Sequence, residues 1–407
     1  MTSQLRHDWY KDAVVYSMDV ESFYDADGDG VGDFEGLTDR LGYLERLGVD
    51  CIWLLPFYPT PNRDNGYDIA DYYGVDERLG TLGDFGTFVN AAEERGMRVL
   101  ADLVVNHTSD QHPWFQAARR GEEPYRDYYV WSDDPVDEPE RTLVFPGEEE
   151  SVWTYDEVAD AYYYHRFYRF QPDLNVANPA VREEIHDILR FWLDVGVSGF
   201  RVDAATLMIE QKGADKLPFD DPHEVFREMK RVVRDARSDA VLMAEADDEP
   251  ARLGDYFGRR PGSRVSAAAV GDAGQVAADE SAGSVGSGDG DEMDLLLNFV
   301  LNAHVAHALA TDSAEPLREG LDRLPDVRDR GRFANFLRNF DEMNLGRLPK
   351  AAQHAVYERF APEKYMRSAW ETTCGCRGAT PCARRCTGRT RRTPGSRPRR
   401  PRTWSGP

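Results

Sequence analysis

The sequence predicts an α/β protein, a (β/α)8 TIM barrel that lacks a recognisable eighth strand and carries a subdomain inserted after its third. Three observations predict it. Short, near-continuous apolar runs recur along the chain, amphipathic helical stretches separate them, and one long aromatic segment interrupts the alternation. Near-continuous apolar strands joined through helices indicate a parallel sheet buried on both faces, with right-handed crossovers. Seven such strands favour a barrel over a doubly wound sheet.

The strands are expected over Ala13–Val20, Cys51–Phe57, Arg98–Val105, Gly199–Ala205, Ala240–Ala246, Asp294–Val300 and Phe333–Phe340. Between the first two, Leu37, Leu41, Leu44 and Leu47 recur at helical spacing and predict one buried stripe. DFGTFVNAAEERG supplies the next helix, and VREEIHDILRFWLDVGV the one before the fourth strand. His304 and His307 sit one turn apart in LNAHVAHALA, which reads as a packed helix rather than a metal pair. Residues 1–106 therefore hold barrel strands one to three. Residues 107–170 are too long and aromatic for a loop and read as an inserted subdomain. Residues 171–366 hold strands four to seven, interrupted at about 259–291 by a Gly/Ser/Asp-rich flexible insertion.

From about Arg367 the character changes. Residues 367–407 hold eleven Arg against one acid, Glu371, and four of the five cysteines: Cys374, Cys376, Cys382 and Cys386. Arg, Pro, Gly, Thr and Cys all rise at one point, which predicts a disordered basic tail written in a shifted reading frame. With so few apolar residues around them, those cysteines do not read as a zinc site. Cys51, in an apolar run, reads as a core thiol.

The net charge is −24, and the tail accounts for +10, so residues 1–366 carry about −34. Only six lysines occur. An acidic, lysine-poor surface stays hydrated in salt and repels itself without it, which suggests a salt-adapted protein and argues against nucleic-acid binding. No run approaches the roughly 18 apolar residues of a membrane span. MTSQLRHDWYKD has no apolar leader core, so a cytoplasmic location is expected.

Polar residues at strand C-termini build the site of a parallel barrel. The third strand ends in Asp102, Asn106 and His107, the fourth in Arg201 and Asp203, the fifth in Glu245, and the seventh in Asn339, Phe340 and Asp341. Any one acid there is more often a helix cap. Several sharing one mouth with an Arg and a His are costly, because like charges repel. Retaining glycoside cleavage has a use for such a cluster, since it needs one carboxylate as nucleophile and one carboxylic acid as proton donor. Arg201, two residues before Asp203, faces the same side of the strand and would keep Asp203 ionised.

DLVVNH, GFRVDAA, the Glu of LMAEAD, FLRNFDE and QPDLN resemble, in order and spacing, the conserved regions of the α-amylase superfamily, glycoside hydrolase family 13. WYKDAVVY, GVDCIWLLPFYPTP and YYYHRFYRFQPDLN are similar to its trehalose synthase and oligo-1,6-glucosidase branch. The resemblance covers about residues 8–366. It implies Asp203 as nucleophile, Glu245 as acid/base and Asp341 as transition-state stabiliser. His107 and Arg201 would contact the reacting sugar, and Tyr67 and Asp68 would stack on and hydrogen-bond the terminal glucose. Asn339 and Phe340 complete the expected substrate contacts. The implied reaction is intramolecular transglucosylation of maltose to trehalose. Hydrolysis of maltose or an α-linked gluco-oligosaccharide, and an inactive sugar-binding remnant, are the alternatives. The family normally places His before the stabilising Asp, and Phe340 cannot donate a hydrogen bond. That departure implies a transition state less well stabilised, by roughly 10- to 1000-fold in rate.

DADGDGVGD places carboxylates at Asp25, Asp27, Asp29 and Asp33 with the Val31 carbonyl between them, a pattern suited to a hard cation. Gly36 stands where an EF-hand would need its bidentate Glu. The stretch resembles the Ca²⁺ (or Mg²⁺) loop of this enzyme branch; the plainer reading is a solvated acidic turn.

Overall fold

A computed structural model describes residues 8–134, 143–145, 147–210, 212, 221–258, 290–339 and 344–363. Its strands are β1 (Val15–Met18), β2 (Cys51–Leu54), β3 (Arg98–Leu103), β4 (Trp131–Ser132), β5 (Trp153–Asp156), β6 (Ala161–Tyr164), β7 (Gly199–Val202), β8 (Val241–Ala244), β9 (Leu295–Leu297) and β10 (Arg332–Ala334). Seven of them form one curled parallel sheet in the order β1-β2-β3-β7-β8-β9-β10. Among the described residues this is an incomplete barrel, with edges at β1 and β10 and no eighth strand.

The two-residue period of the strands sorts the apolar side chains. Cys51 and Trp53, Leu100, Val241 and Met243, and Leu295 and Leu297 turn into the barrel and form one cluster with Tyr10. Ile52, Leu54, Val99, Ala101, Phe200, Val202, Leu242, Ala244 and Leu296 turn outward against the helices. Each fully buried Val, Leu, Ile, Phe or Met among them contributes about 1.5–3 kcal/mol. Trp192, on the helix Pro179–Val195, packs edge-on against Phe57, Tyr58 and Phe85 and satisfies its indole N–H on the Tyr72 carbonyl at 2.8 Å.

Local chemistry explains where the helices start. Asp33 caps the helix Phe34–Leu47, and Thr81 with Asp84 makes a reciprocal capping box on the helix Leu82–Glu94. Leu37, Leu41 and Leu44 are buried as the spacing predicts, but Leu47, the last residue of the helix before Gly48 ends it in the left-handed region, is 54% exposed. His304 lies buried in the helix Phe299–Thr311 and His307 half-buried one turn on, and Cys51 is a buried free thiol.

Between β3 and β7 the chain leaves the barrel. There β4, β6 and β5 form a separate antiparallel sheet, closed back on the barrel by bridges from His107 to Asp173 and from Tyr129 to Leu174. This excursion lets β7 pair directly with β3, with Asp102 opposite Arg201 in register. Among the described residues no helix is long and apolar enough to cross a membrane. The tail from Arg367 with its four cysteines, and the Gly/Ser-rich insertion apart from residues 290–291, lie outside the described residues.

Candidate active site

The strands end where the chemistry begins. Every predicted strand runs past the observed ladder at its C-terminus, the last included, whose ladder ends at Ala334. The structure releases these residues from the ladder, and their side chains build the barrel mouth. Arg201 lies at its centre with no solvent exposure. Its Nη1 donates to Asp203 Oδ1 at 2.6 Å and to Asp102 Oδ1 at 2.7 Å, and its Nη2 lies 2.9 Å from Glu245 Oε2. Three carboxylates from three neighbouring strands thus share one guanidinium. The Asp203 N–H bonds the Leu103 carbonyl at 3.0 Å, and the Glu245 N–H bonds the Val202 carbonyl at 3.0 Å, so both backbones are fixed. Ala204, between nucleophile candidate and helix, is held at φ 45°, and its N–H donates to Glu245 Oε2 at 2.9 Å. A left-handed non-glycine residue beside a reacting group is a common place for stored strain.

One positive charge cannot neutralise three negative ones in a buried site, so Asp102 and Asp203 hold protons that exposed carboxylates would lose. Burial, opposed by Arg201, pushes Asp102 up to about 6. Burial also carries Asp203 well above the usual carboxylate range, again against Arg201 and with the neighbouring Glu245 and Asp102 adding to the rise.

Asp102 is the residue around which the rest is arranged. Besides Arg201, it accepts from Trp53 Nε1 at 3.3 Å and from the Tyr67 hydroxyl at 3.2 Å. The Trp53 ring also lies beneath the guanidinium, 5.1 Å from its carbon. Trp53 therefore supports the charged centre, and the alternation of Leu100 and Asp102 on one face of β3 is the signal that places Asp102 inward. Tyr67 is half-buried and joins the cluster directly. His107 is buried, with Nε2 3.1 Å from the Tyr67 carbonyl; burial lowers it to about 4, so it is neutral near pH 7.

Asp68 is wholly buried beside Tyr67, with its oxygens occupied by the Thr60 hydroxyl, the backbone N–H groups of Arg63 and Asp64, and Arg63 Nε. Arg63 reaches on to Asp110, tying this loop to the start of the excursion after β3. Asn339 is half-buried just beyond β10, while Phe340 and Asp341 lie outside the described residues. Lys212, Asp173 and Arg63 were not among the predicted site residues. The signal for Lys212 was its rarity, one lysine of six in an acidic chain.

In the loop after β1, Asp25, Asp27 and Asp29 bring one oxygen each to within 4.8 Å of one another. Asp25 accepts from the N–H groups of Gly28 at 2.6 Å and Gly30 at 2.8 Å, and these bonds hold its carboxyl below the ordinary range. Asp33 is turned instead to the helix it caps, accepting from Gly36 at 2.6 Å and Ala26 at 2.9 Å. Val31 donates its N–H to Asp29 at 2.7 Å.

Residues 18–263 match the family described as alpha amylase, catalytic domain. The chain is 40% identical over 361 residues to a trehalose synthase/amylase, TreS, of Mycolicibacterium smegmatis, covering 88% of this chain and 56% of that protein. It is 48% identical over 203 residues to an oligo-1,6-glucosidase of Parageobacillus thermoglucosidasius, covering 49% of this chain and 36% of that one. Among solved structures, the isomaltulose synthase of Erwinia rhapontici NX5 superposes with a TM-score of 0.66 at 31% identity, over 82% of this chain and 58% of that one. A mutant of the trehalulose synthase MutB does so with a TM-score of 0.66 at 32% identity, over 88% and 61%. The chain thus spans little more than half the length of the trehalose synthase/amylase it matches. With the matched segment enclosing Asp102, His107, Arg201, Asp203 and Glu245, the chain belongs to the alpha-amylase catalytic-domain family.

Proposed function

We propose that this protein processes α-glucosides by the retaining route and converts maltose to trehalose by intramolecular transglucosylation. The observation that carries the reading is the pair Asp203 and Glu245 on one buried guanidinium. Ionised Asp203 attacks the anomeric carbon as the glycosidic bond breaks, and protonated Glu245 gives its proton to the departing oxygen. The result is a glucosyl ester on Asp203 and a free glucose. The freed glucose turns in the closed site and attacks through its own anomeric hydroxyl. Glu245 takes up that proton, and Asp203 leaves as carboxylate. Asp341 would stabilise the oxocarbenium-like transition state, with His107, Arg201, Tyr67, Asp68, Asn339 and Phe340 around the sugar. The likeness to proteins named trehalose synthase supports transfer to glucose rather than water. Hydrolysis is the second reading, supported by the likeness to a protein named oligo-1,6-glucosidase; it shares the same ester and differs only in the acceptor.

Product analysis after incubating the purified protein with maltose tests this, with Asp203→Ala as control. Trehalose from the parent alone supports the proposal, glucose alone moves the assignment to a hydrolase, and no turnover from a folded sample across a panel of α-glucosides sinks both.

The loop after β1 is proposed to hold a structural Ca²⁺ or Mg²⁺ through Asp25, Asp27 and Asp29 with the Val31 carbonyl, while Asp33 stays with the helix it caps. Three carboxylates within one ion's reach fit a hard divalent cation, whose charge would offset their repulsion. Elemental analysis of protein prepared without chelator checks it, and finding no bound divalent ion would refute it.

A further inference from the structure

Lys212 is 4% exposed at its side chain, deep beside the third-strand loop. Its ammonium lies 2.9 Å from Asp173 Oδ2 and donates to Asn106 Oδ1 at 2.7 Å. An ammonium can only donate, so the Asn106 atom facing it must be the carbonyl oxygen. A carboxylate can only accept, so the Asn106 atom 3.1 Å from Asp173 Oδ2 must be the amide nitrogen. These two neighbours fix the amide orientation from both ends. The same Nδ2 lies 3.2 Å from His107 Nδ1. As a donor with a second hydrogen available, it requires Nδ1 to be the bare, accepting nitrogen. The single proton of the neutral imidazole then sits on Nε2, which faces an acceptor, the Tyr67 carbonyl, at 3.1 Å. The chain of hydrogen bonds is consistent at every link.

We propose that Lys212 is a positioning residue: it sets the Asn106 amide and, through it, holds His107 as the Nε2–H tautomer turned toward the Tyr67 loop. Lys212 touches no reacting atom. The consequence for turnover rests on the glucoside-processing reading, whereas the tautomer does not. Asn106, His107, Asp173 and Lys212 come from three separate stretches of chain, so the same network ties the excursion after β3 to the barrel.

The test is ¹⁵N-imidazole NMR on the full chain, with the His107 signals identified by their loss in His107→Gln. The parent is expected to show one neutral tautomer protonated at Nε2, and Lys212→Arg, which keeps a donor and its charge, to retain it. Lys212→Met is expected to lose the single-tautomer pattern. Because it leaves Asp173 buried without its cation, the paired variant Lys212→Met/Asp173→Asn removes that imbalance while freeing the Asn106 amide to flip. On maltose, kcat/KM of the paired variant is expected to fall about tenfold, more in kcat than in KM, with Lys212→Arg near the parent. A parent His107 protonated at Nδ1, or a folded paired variant with the parental pattern, overturns the proposal. Absence of turnover in the parent across a panel of α-glucosides would remove the glucoside reading and leave the NMR result standing.

Discussion

At the scale of single residues, the site is governed by an imbalance of charge. Asp102, Asp203 and Glu245 share the one guanidinium of Arg201, and desolvation favours the protonated carboxyl of Asp102 and Asp203. Two consequences follow in pH. Asp203 must be ionised to attack, and its affinity for a proton is raised, so activity is lost as pH falls through that raised value. The acid limb of kcat/KM is therefore expected above the ordinary carboxylate range, and a limb near pH 4 would contradict the assignment. Asp102 governs stability as well. Its rise from 3.8 to about 6 means the folded chain binds more protons than the unfolded chain across that window. Its contribution is thus fully present below pH 3.8 and is lost as pH rises to about 6, on the order of 3 kcal/mol. Asp102→Asn removes the titration. The difference in Tm, parent minus variant, is expected to shrink between pH 4 and pH 7, and a constant difference would show that Asp102 does not titrate there. Asp203, Glu245 and Arg201 were legible in the sequence because each ends a strand of strong apolar character. Lys212 stood out only by its rarity and Asp173 only within QPDLN, and their roles were not legible. Neither belongs to a strand, and their convergence on Asn106 depends on tertiary placement that no local pattern encodes.

At the scale of elements, β7 is the most constrained piece of the barrel. It must lie against β3 on one side and β8 on the other while presenting Arg201 and Asp203 in the right register. Gly199 makes this possible. Its φ is +141°, and a Cβ there would stand 2.1 Å from the Val241 carbonyl oxygen, an atom held in the sheet. Gly199→Ala must therefore move backbone as well as adopt a conformation that side chains disfavour. A loss of at least about 2 kcal/mol is expected, from crowding in a close-packed core and from the backbone itself. Chemical denaturation of parent and variant checks this, and equal midpoints at unchanged slope would show that β7 has more freedom than its contacts imply. The seven strands were readable in position because apolar runs bounded by turns survive in any tertiary setting. Their ends were not. Residues such as Val104, Val105 and Ala246 are buried and apolar yet lie beyond the ladder, where the barrel mouth opens and neighbouring strands diverge. Burial and pairing part company there, and the sequence reports only burial. The three short strands of the excursion escaped notice for the opposite reason: Tyr155 and Tyr162 to Tyr164 are aromatic on both faces, with no alternation to count.

At the scale of the whole molecule, the dominant fact is charge. About −34 on the first 366 residues, with six lysines in the chain, means that on average each acid sees more acids than bases around it. Arginine relieves part of this locally, as in Arg190 with Glu183 and Asp187, Arg231 with Glu224, or Arg318 with Glu315. Such exposed pairs contribute about 0–1 kcal/mol each and weaken as salt is added. The excess repulsion weakens too, and it acts over longer distances, so its screening is the larger effect. Raising salt from 0.01 M to 1 M shortens the screening length from about 30 Å to about 3 Å, from the size of the molecule to that of one contact. Repulsion between distant acids vanishes over that range, while buried pairs such as Arg201 with Asp102 are largely shielded from it. Tm is therefore expected to rise by several degrees between 0.01 M and 1 M potassium chloride. Chloride is the right counter-ion for the measurement because sulfate would also strengthen apolar burial and confuse the two causes. A parallel titration with an uncharged osmolyte at matched osmolality separates screening from solvent exclusion. If Tm stays flat or falls in chloride, the local ion pairs outweigh the excess charge, and the acidic surface is a matter of composition without consequence for stability.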